Sequence, residues 1–280
     1  MKIHVINTGN FKLDGGAMFG VVPKTLWSKT NPADQNNMCS WAMRCLLIET
    51  ENKKILIDTG IGNKQSEKFF QYFYLHGPDN LLESLNKIKI VPEEITHVFF
   101  THLHFDHCGG AIIKNNNSLE LLFPNAVHIT NKMHWDLANN PNSREKASFL
   151  KENFHLIQKK NKLIFIDEGK WTKNIEVRFF HGHTTAQMIP IIKYKNRKIA
   201  FMADLLPSIG HIPLPYVMGY DTQPLLTLKE KKMFFKEAVD NNYILFLEHD
   251  YKYECCTLKD TEKGFRLDQF GKLDELLNHQ

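Results

Sequence analysis

Ile95-Thr96-His97-Val98-Phe99-Phe100-Thr101-His102-Leu103-His104-Phe105-Asp106-His107-Cys108-Gly109-Gly110 is the stretch that decides how this 280-residue chain is read. Its first six residues are β-branched or aromatic and predict a short buried strand. Four metal-ligand types, His102, His104, Asp106 and His107, follow at once, which puts them at a strand end. Side chains two apart on a strand share a face, so this spacing brings His102 and His104 to one point. Gly109-Gly110 predicts a turn that swings Asp106 and His107 toward a second point nearby. A closed structural zinc site wants four ligands, usually including Cys, whereas crowded N and O ligands suit an open, catalytic arrangement divided between two ions. Cys108 reads as a small thiol packed beside the ligands. His76, His97, His134, His155 and His279 stand alone and read as ordinary surface or core histidines.

Composition sets the frame: 42% hydrophobic and 24% charged residues are ordinary for a globular chain able to bury a core. We expect a single domain over 1–280. The formal charge of +4 is spread without a block of like charges, which argues against a nucleic-acid partner. No apolar run has the length of a signal peptide or a membrane span, so no membrane role is expected. Five cysteines, Cys39, Cys45, Cys108, Cys255 and Cys256, lack a paired spacing and suit reduced thiols in a cytoplasmic protein.

Lys2 to Asn7 reads as a first strand. The segment at about 11–39 reads as extended, with an apolar centre, Met18 to Trp27, that Pro23 and its glycines keep from forming one regular element. It is either a packed connector or a place where Met18, Phe19, Val22 and Trp27 line a substrate entrance or a subunit contact. Met43–Glu49 and Lys54–Ile57 form a predicted hairpin. Asp58, at its end, is expected to accept from the second ring nitrogen of a ligating histidine and so fix that ring. Helical periodicity covers about 67–88, broken at Gly77-Pro78. A strand near 126–130 and helices over about 132–159 follow.

Three later strands also end in ligand types: Val177–Phe180 before His181-Gly182-His183, Lys198–Ala203 before Asp204, and Tyr243–Leu247 before Glu248-His249-Asp250. A helix at about 228–241 fills the last interval. Two divalent ions a few ångströms apart lower the pKa of a shared water toward neutrality, giving a hydroxide nucleophile that attacks an ester-like carbonyl without a Ser or Cys.

Together, Thr101 to Gly110, Gly182-His183-Thr184, Ala203-Asp204 and Glu248-His249-Asp250 resemble the metallo-β-lactamase superfamily, over most of the chain. That resemblance implies a four-layer αβ/βα sandwich of two mixed sheets flanked by helices, an α/β fold with two metals at the sheet edge. It also implies a ligand set: His102, His104 and His183 on one ion, Asp106, His107 and His249 on the other, and Asp204 bridging. Zinc is the first expectation; Mn, Fe or Co would suit the same donors. Residues 15–27, Arg44 to Ile48 and Tyr220-Asp221 are similar to the quorum-quenching lactonase and methyl parathion hydrolase branch, which implies an acyl-homoserine-lactone-type lactonase and a homodimer. Asp106 or Asp204 is expected to pass a proton to the departing alkoxide.

Lactonases of the branch carry a Tyr shortly after the bridging Asp, whereas this chain reads Asp204-Leu205-Leu206-Pro207. Tyr216 or Tyr220 is expected to approach from the following loop, with His211 near the pocket and His181 packed or supporting a ligand. Competing readings are a phosphotriesterase or aryl esterase, a thioester hydrolase of the glyoxalase II kind, and an inactive metal-binding module.

Overall fold

Residues 1–116 and 118–278 are described by a computed structural model; His279 lies outside them. The chain divides into two compact units, one of Met1–Asn10 with Met43–Asp167, the other of Phe11–Ala42 with the chain from Glu168 onward. Among the described residues, no helix is long and apolar enough to cross a membrane. All five cysteines are buried as thiols.

The first unit is built on a mixed sheet. Strands β1 (Lys2–Asp14), β2 (Met38–Glu49), β3 (Lys54–Ile57), β4 (His97–Phe99), β7 (Val127–Thr130) and β8 (Leu163–Phe165) lie in the order β1-β2-β3-β4-β7-β8, while β5 (Ile112–Asn115) and β6 (Ser118–Leu121) pair separately. The expected hairpin is present, with Leu46 opposite Ile57. From β3 to β8 the strands run parallel, and parallel strands are covered on both faces. That accounts for the unbroken apolar runs: Ile55, Leu56, Ile57, Val98 and Phe99 are at most 1% exposed. Leu47, Leu56, Val98, Phe100, Trp135, Phe154 and Ile157 share one core, each worth about 1.5–3 kcal/mol of transfer free energy. Because β3 and β4 are parallel neighbours, Asp58 and Thr101 emerge at the same sheet edge.

The second unit carries β9 (Gly169–Lys170), β10 (Ile175–Phe180), β11 (Gln187–Tyr194), β12 (Arg197–Phe201), β13 (Ile244–Phe246), β14 (Cys255–Lys259) and β15 (Arg266–Gly271), hydrogen-bonded in the order β15 to β9. Of these pairs, β12 and β13 run parallel, which requires a crossover. The helix Pro224–Asp240 lies in that connection. Since β10 is antiparallel to β11 and β11 to β12, β10, β12 and β13 all point the same way. Their ends deliver His183, Asp204 and His249 to one edge.

Several expectations are corrected. The strand β4 stops at Phe99, so strand alternation does not bring His102 and His104 together. They lie beyond it, and Asp106 and His107 sit on the one-turn helix Phe105–Cys108. Gly109 and Gly110 enter a 3-10 turn, Gly109–Ala111, instead of a positive-φ bend. Glycine is needed there for close approach: a Cβ at 109 would stand 2.1 Å from Ile61 O, and one at 110 would stand 2.2 Å from Thr59 O. The segment at 11–39 is more regular than expected. β1 runs to Asp14, whose carboxylate accepts from Ala17 N at 2.8 Å and caps the helix Gly15–Phe19. A second helix, Lys24–Trp27, follows Pro23, and Gly20 at φ 58° separates the two. The β5–β6 hairpin was not anticipated.

Candidate metal centre

In the first unit, the ligand run is fixed by Asp58. Its backbone has φ 55°, a left-handed geometry that Asp tolerates better than most residues. Its carboxylate accepts from Thr101 N at 2.8 Å and from Thr101 Oγ1 at 2.6 Å, and Oδ2 lies 3.1 Å from His107 Nδ1. The Thr101 hydroxyl, spending its proton on Asp58, offers a lone pair to His102 Nδ1 at 3.0 Å. Both rings are thereby set with the proton on Nδ1 and the lone pair on Nε2, the arrangement a metal-binding imidazole needs. The His102 ring lies 3.9 Å from that of His107 and 4.5 Å from that of His104. Asp106 Oδ2 is 3.7 Å from His107 Nε2. Thr59 N donates to His107 O at 2.7 Å, tying the helix back to the end of β3. Burial pushes the Cys108 thiol up to about 12, which keeps it a packed, inert thiol.

In the second unit, one carboxylate joins two imidazoles. Asp204 Oδ2 is 3.0 Å from His183 Nε2, and Asp204 Oδ1 is 3.0 Å from His249 Nε2. The opposite nitrogens are committed elsewhere: His183 Nδ1 lies 3.0 Å from Asp221 Oδ1, and His249 Nδ1 lies 2.8 Å from Ala42 O. Asp204 N donates to Gln187 Oε1 at 3.1 Å. Glu230 reaches up from its helix and accepts from His181 N and Gly182 N at 2.8 and 2.9 Å. His181 itself is packed into this backbone network, its Nδ1 accepting from Ala186 N at 3.2 Å.

The expected pocket residues are interior. Met18, Phe19, Val22 and Trp27 are buried, Phe19 stacks on Trp27 at 5.3 Å and on His211 at 4.3 Å, and His211 Nε2 lies 2.9 Å from Met18 O. Burial pulls His211 down to about 3, so it is a neutral ring that pins this segment. Tyr216 is half-buried and Tyr220 exposed. Sequence reasoning missed Asp221, Gln187, Glu230 and His134. In sequence Asp221 stands out only through the likeness of Tyr220-Asp221 to a branch, and nothing local marks the others. His134, read as an ordinary histidine, is wholly buried and accepts from Leu103 N at 2.8 Å through Nε2. It fixes the loop between His102 and His104.

The donor set fits divalent cations. His102, His104, Asp106, His107, His183, Asp204 and His249 are between 0 and 9% exposed, and all are N or O donors. At His183, burial works against a positive charge, yet Asp204 and then Asp221 outweigh it and raise the ring to about 10. A site that draws a proton so strongly has the electron density to hold a cation in its place.

Known proteins bear on this geometry. The model of the metallo-beta-lactamase superfamily matches residues 44–113. An N-acyl homoserine lactonase of Bacillus cereus is 23% identical over 266 residues, 90% of this chain and 94% of the relative. The solved structure of a probable metal-dependent hydrolase from Staphylococcus aureus is 31% identical, with 96% of each chain covered and a TM-score of 0.87. That of AidC, a dizinc quorum-quenching lactonase, is 24% identical, with 95% of this chain and 93% of AidC covered and a TM-score of 0.79.

Proposed function

The chain belongs to the metallo-β-lactamase superfamily and is a metal-dependent hydrolase, and from that premise we propose that it opens lactones of the N-acyl homoserine lactone kind on a pair of divalent ions, zinc first. The observation that carries the dinuclear reading is Asp204, with one carboxylate oxygen 3.0 Å from His183 Nε2 and the other 3.0 Å from His249 Nε2. A carboxylate divided in this way is placed to bridge two ions. On this reading His102, His104 and His183 would hold one ion, Asp106, His107 and His249 the other, and Asp204 would serve both. The lactone reading is supported by the Bacillus cereus relative, which matches along nearly its whole length.

Bound there, the ions would supply an activated water and a Lewis acid for the ester carbonyl. The chain's own part is orientation and proton handling. Asp58, Thr101, Asp221 and Ala42 O hold four imidazoles with Nε2 presented, so little reorganisation is needed during reaction. Asp106 or Asp204 carries the proton to the departing oxygen. Phe19, Trp27 and His211 are buried against one another and serve as packing, while Tyr216 or Tyr220 supplies the hydroxyl that the stretch after Asp204 lacks.

The test is turnover of four substrates, an acyl-homoserine lactone, an aryl ester, a phosphotriester and S-lactoylglutathione, by metal-replete protein beside His102→Ala. Preference for the lactone, abolished in the variant, is expected. Preference for another substrate would overturn the lactone assignment and leave the dinuclear site standing.

A further inference from the structure

Between Asp204 and the helix Pro224–Asp240 the chain makes an irregular excursion, and a lysine from that helix sits beneath it. Lys231 is 1% exposed. Its three ammonium protons meet three backbone carbonyls of the excursion: His211 O at 2.6 Å, Tyr216 O at 2.9 Å and Pro213 O at 3.4 Å. A buried lysine is rare unless it is paired, and this one spends every donor on a single loop. Burial pulls its pKa down to about 7, with the Asp221 carboxylate working the other way.

The far end of that loop clasps His183. Asp221 Oδ1 faces His183 Nδ1 at 3.0 Å, its Oδ2 accepts from Met218 N at 3.2 Å, and Thr222 N donates to His183 O at 3.0 Å. We propose that Lys231 is a positioning residue for the metal centre, holding this loop in the conformation in which Asp221 orients His183. The inference rests on the ligand role given to His183 above. Without the ammonium, His211 O and Tyr216 O face an interior with no donor, while Pro213 O keeps Tyr216 N at 2.9 Å, and the loop relieves that cost by turning the two toward water. Such a turn moves Met218 and Asp221 with it.

The experiment measures zinc and cobalt affinity by chelator competition for the wild type, Lys231→Met, Asp221→Asn and the double variant, with the visible spectrum of the cobalt form as a second readout. Loss of an outer partner of a metal-binding histidine typically weakens binding 10- to 100-fold. Lys231→Met is expected to weaken one of two ions by about tenfold or more, and to shift the cobalt spectrum as Asp221→Asn does. The double variant should be no weaker than the worse single one. Should Lys231→Met fail to fold, Lys231→Gln, which keeps two donors, should show a smaller loss at the same ion. Two ions bound with wild-type affinity by the folded Lys231 variant, or losses that multiply in the double, would overturn the inference alone. A wild type that binds fewer than two ions would overturn the dinuclear reading with it.

Discussion

Asp58 and His107, 49 residues apart in sequence, meet in the first unit with Oδ2 3.1 Å from Nδ1. The same carboxylate accepts two hydrogen bonds from Thr101, so one side chain sets both ends of the ligand run. Asp58→Asn keeps the shape and removes the charge. We expect it to weaken metal binding by about 10- to 100-fold, read by chelator competition. Unchanged affinity would mean that the contact serves only to hold the loop.

Asp204→Asn is expected to lower turnover by roughly a hundred- to ten-thousandfold, the range for a lost proton-transfer group, and to reduce bound metal below two ions per chain. Metal analysis of the same preparation separates the effects. Full metal content with normal turnover would refute both roles.

His128 gives the chain an acid limit. It is wholly buried beside Phe100, where burial outweighs the support of the Lys162 backbone. Burial lowers its pKa from 6.5 to about 4. The unfolded chain therefore takes up a proton near 6.5 that the folded chain refuses until about 4. Stability is lost as pH falls through this window, by about 3 kcal/mol at its acid end. His128→Leu should flatten the difference between urea midpoints at pH 7 and pH 4.5 while changing stability little at pH 7. An identical acid slope in both proteins would exclude His128 as its source.

Gly182→Ala should cost about 1–3 kcal/mol, because its Cβ would come within 2.4 Å of Thr227 N, a backbone atom that cannot rotate away. Since His183 follows directly, metal affinity should fall with stability. Thermal unfolding with and without added zinc checks both, and an alanine variant as stable as the wild type would show that the helix gives way.

How much of this could be read from the chain depended on distance along it. His102 to His107 were legible because four ligand types fell within six residues, and Asp204 and His249 because each followed an apolar strand. Asp221 lies 38 residues from His183 and Gln187 17 from Asp204, and nothing local announces either pairing. Phe105–Cys108 is four residues long, too short to show a helical period, so in sequence it reads as part of a strand end. The β5–β6 hairpin has its cue in Asn115-Asn116, with Asn116 at φ 53°, a short polar turn signal between strands of only four residues each. The aromatic segment at 15–27 was ambiguous because packed connectors and pocket walls are made of the same residues.

The close approach of Gly109 and Gly110 to the carbonyls of Ile61 and Thr59 bears on how this site can diverge. The closest contacts of this seam are backbone against backbone, so trimming the one nearby side chain, Leu81 at 3.2 Å from a Cβ at 110, would not rescue a substitution. Drift at 109 and 110 is thus barred, and the run of candidate ligands stays in register with the end of β3. The excursion between Asp204 and Pro224 is held by carbonyls, which are common to every residue type. Apart from the side chains it uses, Asp221 on His183 and His211 on Met18 O, the rest of that excursion can change residue type without loosening the grip of Lys231.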